Sequence, residues 1–183
     1  VAEKIRKQAE NLDKWNKSES QMLYEYISQI EFGDATNREG HAAKVYFNAL
    51  FGLDFTRSSE NSINAALNYG YSLLLSCCAR ETALNGYITQ LGLFHDNIFN
   101  QFNFASDLME PFRPIVDDIV RAITPDKFEH DEKIELLKLL QKEVIIAGRK
   151  ECVNNAMKIY CRSIFDALND GDISLIKFYK DEL

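Results

Sequence analysis

The sequence has few helix breakers, with three prolines and eight glycines in 183 residues. It also has no strand-like alternation longer than a few residues, no internal repeat and no low-complexity segment, which excludes repeat architectures and leaves a helical reading. The four cysteines, Cys77, Cys78, Cys152 and Cys161, include no CxxC spacing. Zinc-finger and dithiol redox chemistry therefore lack support, and the thiols read as buried and reduced in a cytosolic protein. The longest apolar run, around Leu73 to Ala79, is broken by Ser76 and is too short to cross a bilayer, so no membrane partner is expected. Positive charge is scarce. Lys and Arg number 21 against 28 Asp and Glu, a net charge of −7, which excludes a surface that grips nucleic acid by overall charge but not a local basic groove. No signal peptide accompanies the Lys180-Asp181-Glu182-Leu183 ending, whose match to an ER-retention signal reads as coincidence. The chain opens at Val1 directly into a helical pattern, as expected of a fragment of a longer protein.

What is present is apolar periodicity. A hydrophobic content of 46% supports a single core, and the reading is all-α: one multi-helix globular domain over 1–183, with room for one very short hairpin near Val144 to Gly148. Ile5, Ala9, Leu12 and Trp15 mark a first helix with a charged opposite face. Ser18 and Gln21 have capping-box spacing before a second helix, from about Glu19 to Phe32. Asp34 or Thr36 can cap a third, with Ala42, Ala43, Tyr46, Phe47 and Leu50 inward. Ser59 or Asn61 caps a long helix through Ile63, Leu67, Gly70, Leu74 and Cys78. Asn64, Asn68 and Tyr71 interrupt its apolar surface, and they need partners, a cavity or solvent. Tyr87 to Phe94 is a link, extended or helical. Phe99, Phe102, Phe104, Leu108 and Phe112 then supply core to a helix kinked at Pro111 and Pro114 and running to Ile123. Asp131 opens a helix lined by Ile134, Leu137, Leu140 and Val144. The final helix carries Val153, Ala156, Met157, Tyr160, Ile164, Ala167 and Leu168.

One stretch, LFHDNIFNQFNFASDLMEPFRP, concentrates the chemistry. His95 follows Gly92, and Asp107 and Glu110 stand three apart, on one helix face if the segment is helical. A third carboxylate, Glu39, lies in the first turn of the third helix, where capping alone could also account for it. One imidazole with two carboxylates suits Mn²⁺, or Mg²⁺ with water completing the shell. An open ion of that kind activates a hydroxyl or water and neutralises charge on a phosphodiester, so phosphoryl transfer is the natural chemistry.

Four segments in this order, TNREGHAAKVYFNALFG, NAALNYGYSLL, LGLFH and SDLMEPFRP, resemble the CRISPR-associated adaptation endonuclease, the integrase subunit that acquires spacers. FNFASDLMEPFRP is similar to the type II branch in particular. The resemblance covers the helical catalytic domain from about Leu23 onward, and no part of the chain resembles the family's N-terminal β-rich domain. It implies a DNA endonuclease and integrase of the prokaryotic cytoplasm, working in CRISPR adaptation and antiviral defence. The implied ligands of Mn²⁺ or Mg²⁺ are Glu39, His95 and Glu110. Asp107 takes a supporting place, orienting a ligand or water, and Arg57 and Arg113 match basic positions suited to DNA phosphates. The implied partners are DNA, as captured fragment and CRISPR repeat, a small ferredoxin-like adaptation protein, and a second copy in the full-length protein. The implied step is attack of a 3′-hydroxyl, or of water in the nuclease reaction, on a phosphodiester.

Two other readings compete. Helical phosphohydrolases of the HD type bind metal through a His-Asp dipeptide, and His95-Asp96 and His130-Asp131, with His41 as a further histidine, offer that pattern. A non-catalytic helical interaction module, its acids merely solvating helix faces, predicts no stabilisation by divalent metal.

Overall fold

A computed structural model describes residues 1–181, so the last two residues of the KDEL-like ending lie outside the described part. The fold is helical with one small sheet, and it is organised around two apolar cores. Helices α1 (Ala2–Lys14), α2 (Ser20–Ser28) and α3 (Arg38–Phe51) enclose the smaller. Ile5, Ala9 and Leu12 meet Leu23, Ala42, Tyr46 and Leu50 there. The charged face expected on α1 is present, with Arg6, Glu10, Asp13 and Lys14 exposed, but a polar strip of Lys7, Gln8 and Asn11 is buried as well. The reason is that α1 also packs on the segment from Glu110 into helix α6. Asn11 Nδ2 donates to Tyr46 Oη at 2.7 Å and the Pro114 carbonyl at 3.3 Å, and Lys7 Nζ sits 4.5 Å from the centre of the Tyr179 ring.

The larger core surrounds α4 (Ser62–Leu84), against which α5 (Asn103–Met109), α6 (Arg113–Ile123), α7 (His130–Leu137) and α8 (Val153–Asp170) pack. Leu67, Gly70, Leu74 and Cys78 of α4 are buried in the expected register. Asn61 caps this helix, its side chain accepting from Asn64 N at 2.8 Å. At α3 the cap is shared. Asp34 accepts from the N–H groups of Arg38 and Glu39 at 2.8 and 3.0 Å, while Asn37, left-handed at φ 52°, accepts from Gly40. The Ser18–Gln21 box does not form; a capping box instead opens α7, between Glu129 and Glu132. The kink expected at Pro111 and Pro114 takes the form of a 3-10 turn at Glu110–Phe112 between α5 and α6, with Pro114 in the first turn of α6.

Further expectations need correction. Phe99 and Phe102 are exposed rather than core, because the chain from Tyr87 to Phe102 forms no helix. Asn97 and Asn100 side chains accept from N–H groups two residues on and stabilise turns there. In α7 the buried leucine is Leu136, joined by Leu139 of the following turn, while Ile134 and Leu137 face outward. Helix α7 ends at Leu137, so Val144 belongs to a strand. Leu168 at the end of α8 is exposed. The short hairpin is present: β1 (Glu143–Ile146) pairs antiparallel with β2 (Arg149–Cys152) around Ala147 and Gly148, both at positive φ, the two-residue turn that suits the twist of a hairpin. A third strand, β3 (Lys180–Asp181), joins the other edge of β1. The four cysteines are unpaired, and Cys77, Cys78 and Cys161 are buried. Among the described residues no helix is long and apolar enough to cross a membrane.

The crossing of α4 and α6 is unusually close, since a Cβ on Gly70 would lie 2.3 Å from Val116 Cγ1. Gly70→Ala therefore destabilises the protein despite a helix-propensity gain of about 1 kcal/mol. Val116→Ala in the same chain should recover most of that loss. Urea unfolding of the four-member cycle should give a coupling of about 1 kcal/mol or more; additive losses would show that the two sites do not touch.

Candidate metal centre and arginine cavity

Glu39 occupies the first turn of α3, and Glu110 the break between α5 and α6, where Pro111 turns the chain. His95 comes from the irregular segment that precedes α5. That segment is held by Asp107, whose Oδ2 accepts from Leu93 N and Phe94 N at 2.5 and 2.9 Å and whose Oδ1 accepts from His95 N at 3.1 Å. The same Oδ1 lies 2.5 Å from His95 Nδ1. A proton on Nδ1 leaves Nε2 as the acceptor or ligand atom. Gly92 makes the wrapping feasible, because a Cβ there would fall 2.3 Å from the His95 carbonyl and 2.8 Å from Asp107 Oδ2. Asn103, buried at the start of α5, donates to the Gln90 and Asn97 carbonyls at 3.0 and 2.9 Å and pins the segment at two points.

Glu39, His95, Asp107 and Glu110, remote in sequence, thereby line one cavity of about 190 Å³. Lys4 of α1 lines it too. Its Nζ lies 2.5 Å from Glu39 Oε1 and 2.8 Å from Glu110 Oε2. Among the described residues no three His, Cys, Asp or Glu side chains stand grouped closely enough to hold an ion. The carboxylates instead face a side-chain ammonium. Glu110 Oε2 is buried and accepts no aligned hydrogen bond, although the ammonium is in ion-pair contact, so its lone pairs are open to a cation. Hard oxygen donors with one imidazole fit a divalent ion of the Mn²⁺ or Mg²⁺ kind once the ammonium withdraws.

Charge in the cavity is strongly coupled. The Asp107 hydrogen bond raises the pKa of His95 against the opposing effect of burial, with Glu110 and Glu39 adding to the rise. Burial acts to raise Asp107, but the hydrogen bonds from His95 and the backbone outweigh it and hold the carboxyl low. Burial likewise opposes ionisation of Glu110, and Arg113 and Lys4 overcome it.

A second cavity, of about 350 Å³, adjoins the first and shares Lys4 and Glu110 with it. Arg57 and Arg113 both line it. Arg113 donates to Glu110 Oε1 at 2.8 Å, and its guanidinium lies 4.1 Å from the Tyr71 ring centre. Arg57 stacks near Tyr71 and Phe47 and bonds Asn64 and Asn68, which answers why a long helix carries those asparagines. Beneath them Asp117 accepts from Tyr46 Oη at 2.9 Å and from Tyr71 Oη. Lys4, Asp117 and Tyr46 were not singled out from sequence as site residues. Asp117 left one trace, an acid at an apolar-periodic position within PIVDDIV.

The HD pattern does not assemble. His95 bonds Asp107 rather than Asp96, His130 opens α7, and neither His130 nor His41 lines the cavity.

The sequence pattern of the family CRISPR associated protein Cas1 matches residues 1–148. The chain belongs to the Cas1 family. It is 45% identical over 118 residues to a CRISPR-associated endonuclease Cas1 of Neisseria meningitidis serogroup C, an alignment covering 64% of this chain and 39% of the relative. A Cas1 of Thermus thermophilus is 32% identical over 133 residues, covering 66% of this chain and 42% of the relative. The chain thus spans about two fifths of the length of these curated relatives. Its fold is similar to that of a Cas1 protein from Thermotoga maritima, with a TM-score of 0.74, 18% identity and coverage of 94% of this chain and 66% of that one. It is also similar to a casposase bound to its integration product, with a TM-score of 0.75, 20% identity and coverage of 93% and 63%.

Asp117 supplies a pH test. Burial raises its pKa from 3.8 to about 6, against the opposing pull of Tyr71, Arg113, Tyr46 and Arg57. The folded state therefore keeps the proton after the unfolded chain has lost it. Native stability falls as pH rises from about 4 through 6, by a total of about 3 kcal/mol. Asp117→Asn lacks this dependence, so urea unfolding should find its stability relative to wild type improving between pH 5 and pH 8. A constant difference across that range would show that Asp117 titrates normally.

Proposed function

We propose that this chain is the catalytic region of a metal-dependent DNA endonuclease and integrase that inserts captured DNA as spacers into a CRISPR array. The observation that carries the reading is the meeting of Glu39, His95 and Glu110 at one cavity beside the Arg57 and Arg113 cavity. Membership of the Cas1 family supports the nuclease and integrase class. A similar fold in a casposase bound to its integration product, and in a Cas6-RT-Cas1–Cas2 complex at a TM-score of 0.70 and 19% identity, covering 96% of this chain and 24% of that one, agrees with DNA and protein partners. By the same family argument the partners are DNA, a small ferredoxin-like adaptation protein and a second copy, in a prokaryotic cytoplasm.

On this reading Glu39, His95 and Glu110 would hold Mn²⁺ or Mg²⁺, which would supply Lewis-acid activation of a nucleophilic hydroxyl and screening of charge on the phosphodiester. The remaining work falls to the protein. Asp107 fixes the His95 ring by accepting from Nδ1, which directs Nε2 to ligation. Arg57 and Arg113, oriented by Tyr71, offer planar donors to phosphate oxygens. In the transesterification a 3′-oxygen bonds to phosphorus, the original ester oxygen leaves as a new 3′-hydroxyl, and the proton passes from nucleophile to leaving group. In cleavage, water replaces the attacking 3′-hydroxyl.

The test is substitution in the full-length protein, assayed for DNA integration and cleavage with Mn²⁺. Glu39→Ala, His95→Ala and Glu110→Ala should each nearly abolish both reactions, and double substitutions should add little, because residues acting as a unit are non-additive. Asp107→Asn should cost about 10 to 100-fold, typical of a residue that orients a ligand. An active Glu110→Ala beside a dead Asp107→Asn would exchange their roles; three active variants would sink the metal centre.

A further inference from the structure

The residue between the two carboxylates is a cation that no acid-and-histidine pattern reveals. Lys4 Nζ touches Glu39 Oε1 at 2.5 Å and Glu110 Oε2 at 2.8 Å, and all three side chains are largely buried. Without a counter-charge there, two carboxylates facing one small cavity would repel each other in a medium that screens poorly. The backbone that carries Lys4 is fixed, since the next residue, Ile5, is fully buried in the smaller core. The four-carbon stem has rotatable bonds of its own, and the side chain borders both cavities. On the far side stand Gln8, whose buried Oε1 accepts no hydrogen bond, and Asp117.

We infer that Lys4 is the internal counter-cation of this centre, a positioning residue that keeps Glu39 and Glu110 together and is displaced from them when a divalent ion enters. This rests on the metal reading above. It follows that metal and ammonium compete for the same two carboxylates. A purely structural salt bridge, tying α1 to α3 and the Glu110 turn, would predict lost stability with unaltered metal affinity.

Calorimetric titration of the protein with MnCl₂, paired with thermal melts, separates these cases. Lys4→Met should bind Mn²⁺ more tightly, on the order of tenfold for one displaced charge at contact range, and should melt lower without metal yet gain more from it. Lys4→Arg, which keeps the charge, should stay near wild type. Lys7→Met is the control: its ammonium pairs with Glu10 at 2.6 Å on the same helix, and its removal should leave Mn²⁺ affinity unchanged. A second measurement uses the wild-type chain alone. Acetylation of the Lys4 amine, followed by mass spectrometry, should speed up several-fold when Mn²⁺ is added. Equal Mn²⁺ affinity in wild type and Lys4→Met, or an acetylation rate indifferent to Mn²⁺, overturns the inference while leaving the metal reading intact. Saturable binding in none of the proteins overturns the metal reading, and the inference with it.

Discussion

A continuous polar seam runs between the two apolar cores, and the site exists because every charge in it is answered by a neighbour. Lys4 meets Glu39 and Glu110; Glu110 meets Arg113; Arg113 stacks on Tyr71; Tyr71 and Tyr46 donate to Asp117; and Tyr46 accepts from Asn11, back on α1. Buried ions contribute little net stability when paired and cost several kcal/mol when stranded. The seam is accordingly better read as a device for fixing geometry than as a source of stability, which comes from Leu12, Leu23 and Leu50 on one side and Leu67, Leu74 and Phe112 on the other.

The seam also accounts for what was and was not legible in the sequence. Helix periodicity reads one face at a time, so it located α3, α4, α6 and α8, whose apolar faces meet a core. It also located α1 with its exposed charged face, but not the buried polar strip beside the apolar one, because burial of Lys7, Gln8 and Asn11 requires partners far along the chain. The aromatic density of Phe99 and Phe102 suggested core, yet core residence needs a regular element to carry it inward, and Asn97 and Asn100 stabilise turns instead. Strand β3, two residues long, carries too little pattern to be read.

The candidate site was more legible than its support. His95, Asp107, Glu110 and Glu39 are chemically conspicuous, and their order along the chain matched a family pattern. The parts that hold them are chemically quiet. Gly92 acts by having no side chain, and Asn103 acts through two backbone carbonyls. The Asp107–His95 bond joins residues twelve apart across an irregular segment. None has a spacing rule behind it.

An acidic chain must still approach a polyanion if the proposed function holds, and the seam suggests how. With Glu110 ionised, Arg113 is held by a carboxylate 2.8 Å away and is poorly placed to receive a phosphate. Drawing Glu110 onto a divalent ion would weaken that hold and free guanidinium donors beside Arg57. Metal loading and phosphate affinity would then be linked through shared groups, and the linkage would be reciprocal: a phosphate that recruited Arg113 would also leave Glu110 more available to the ion. A net charge of −7 works in the same direction. It discourages DNA from settling on the outer surface, so that productive contact concentrates where the local charge has been rearranged.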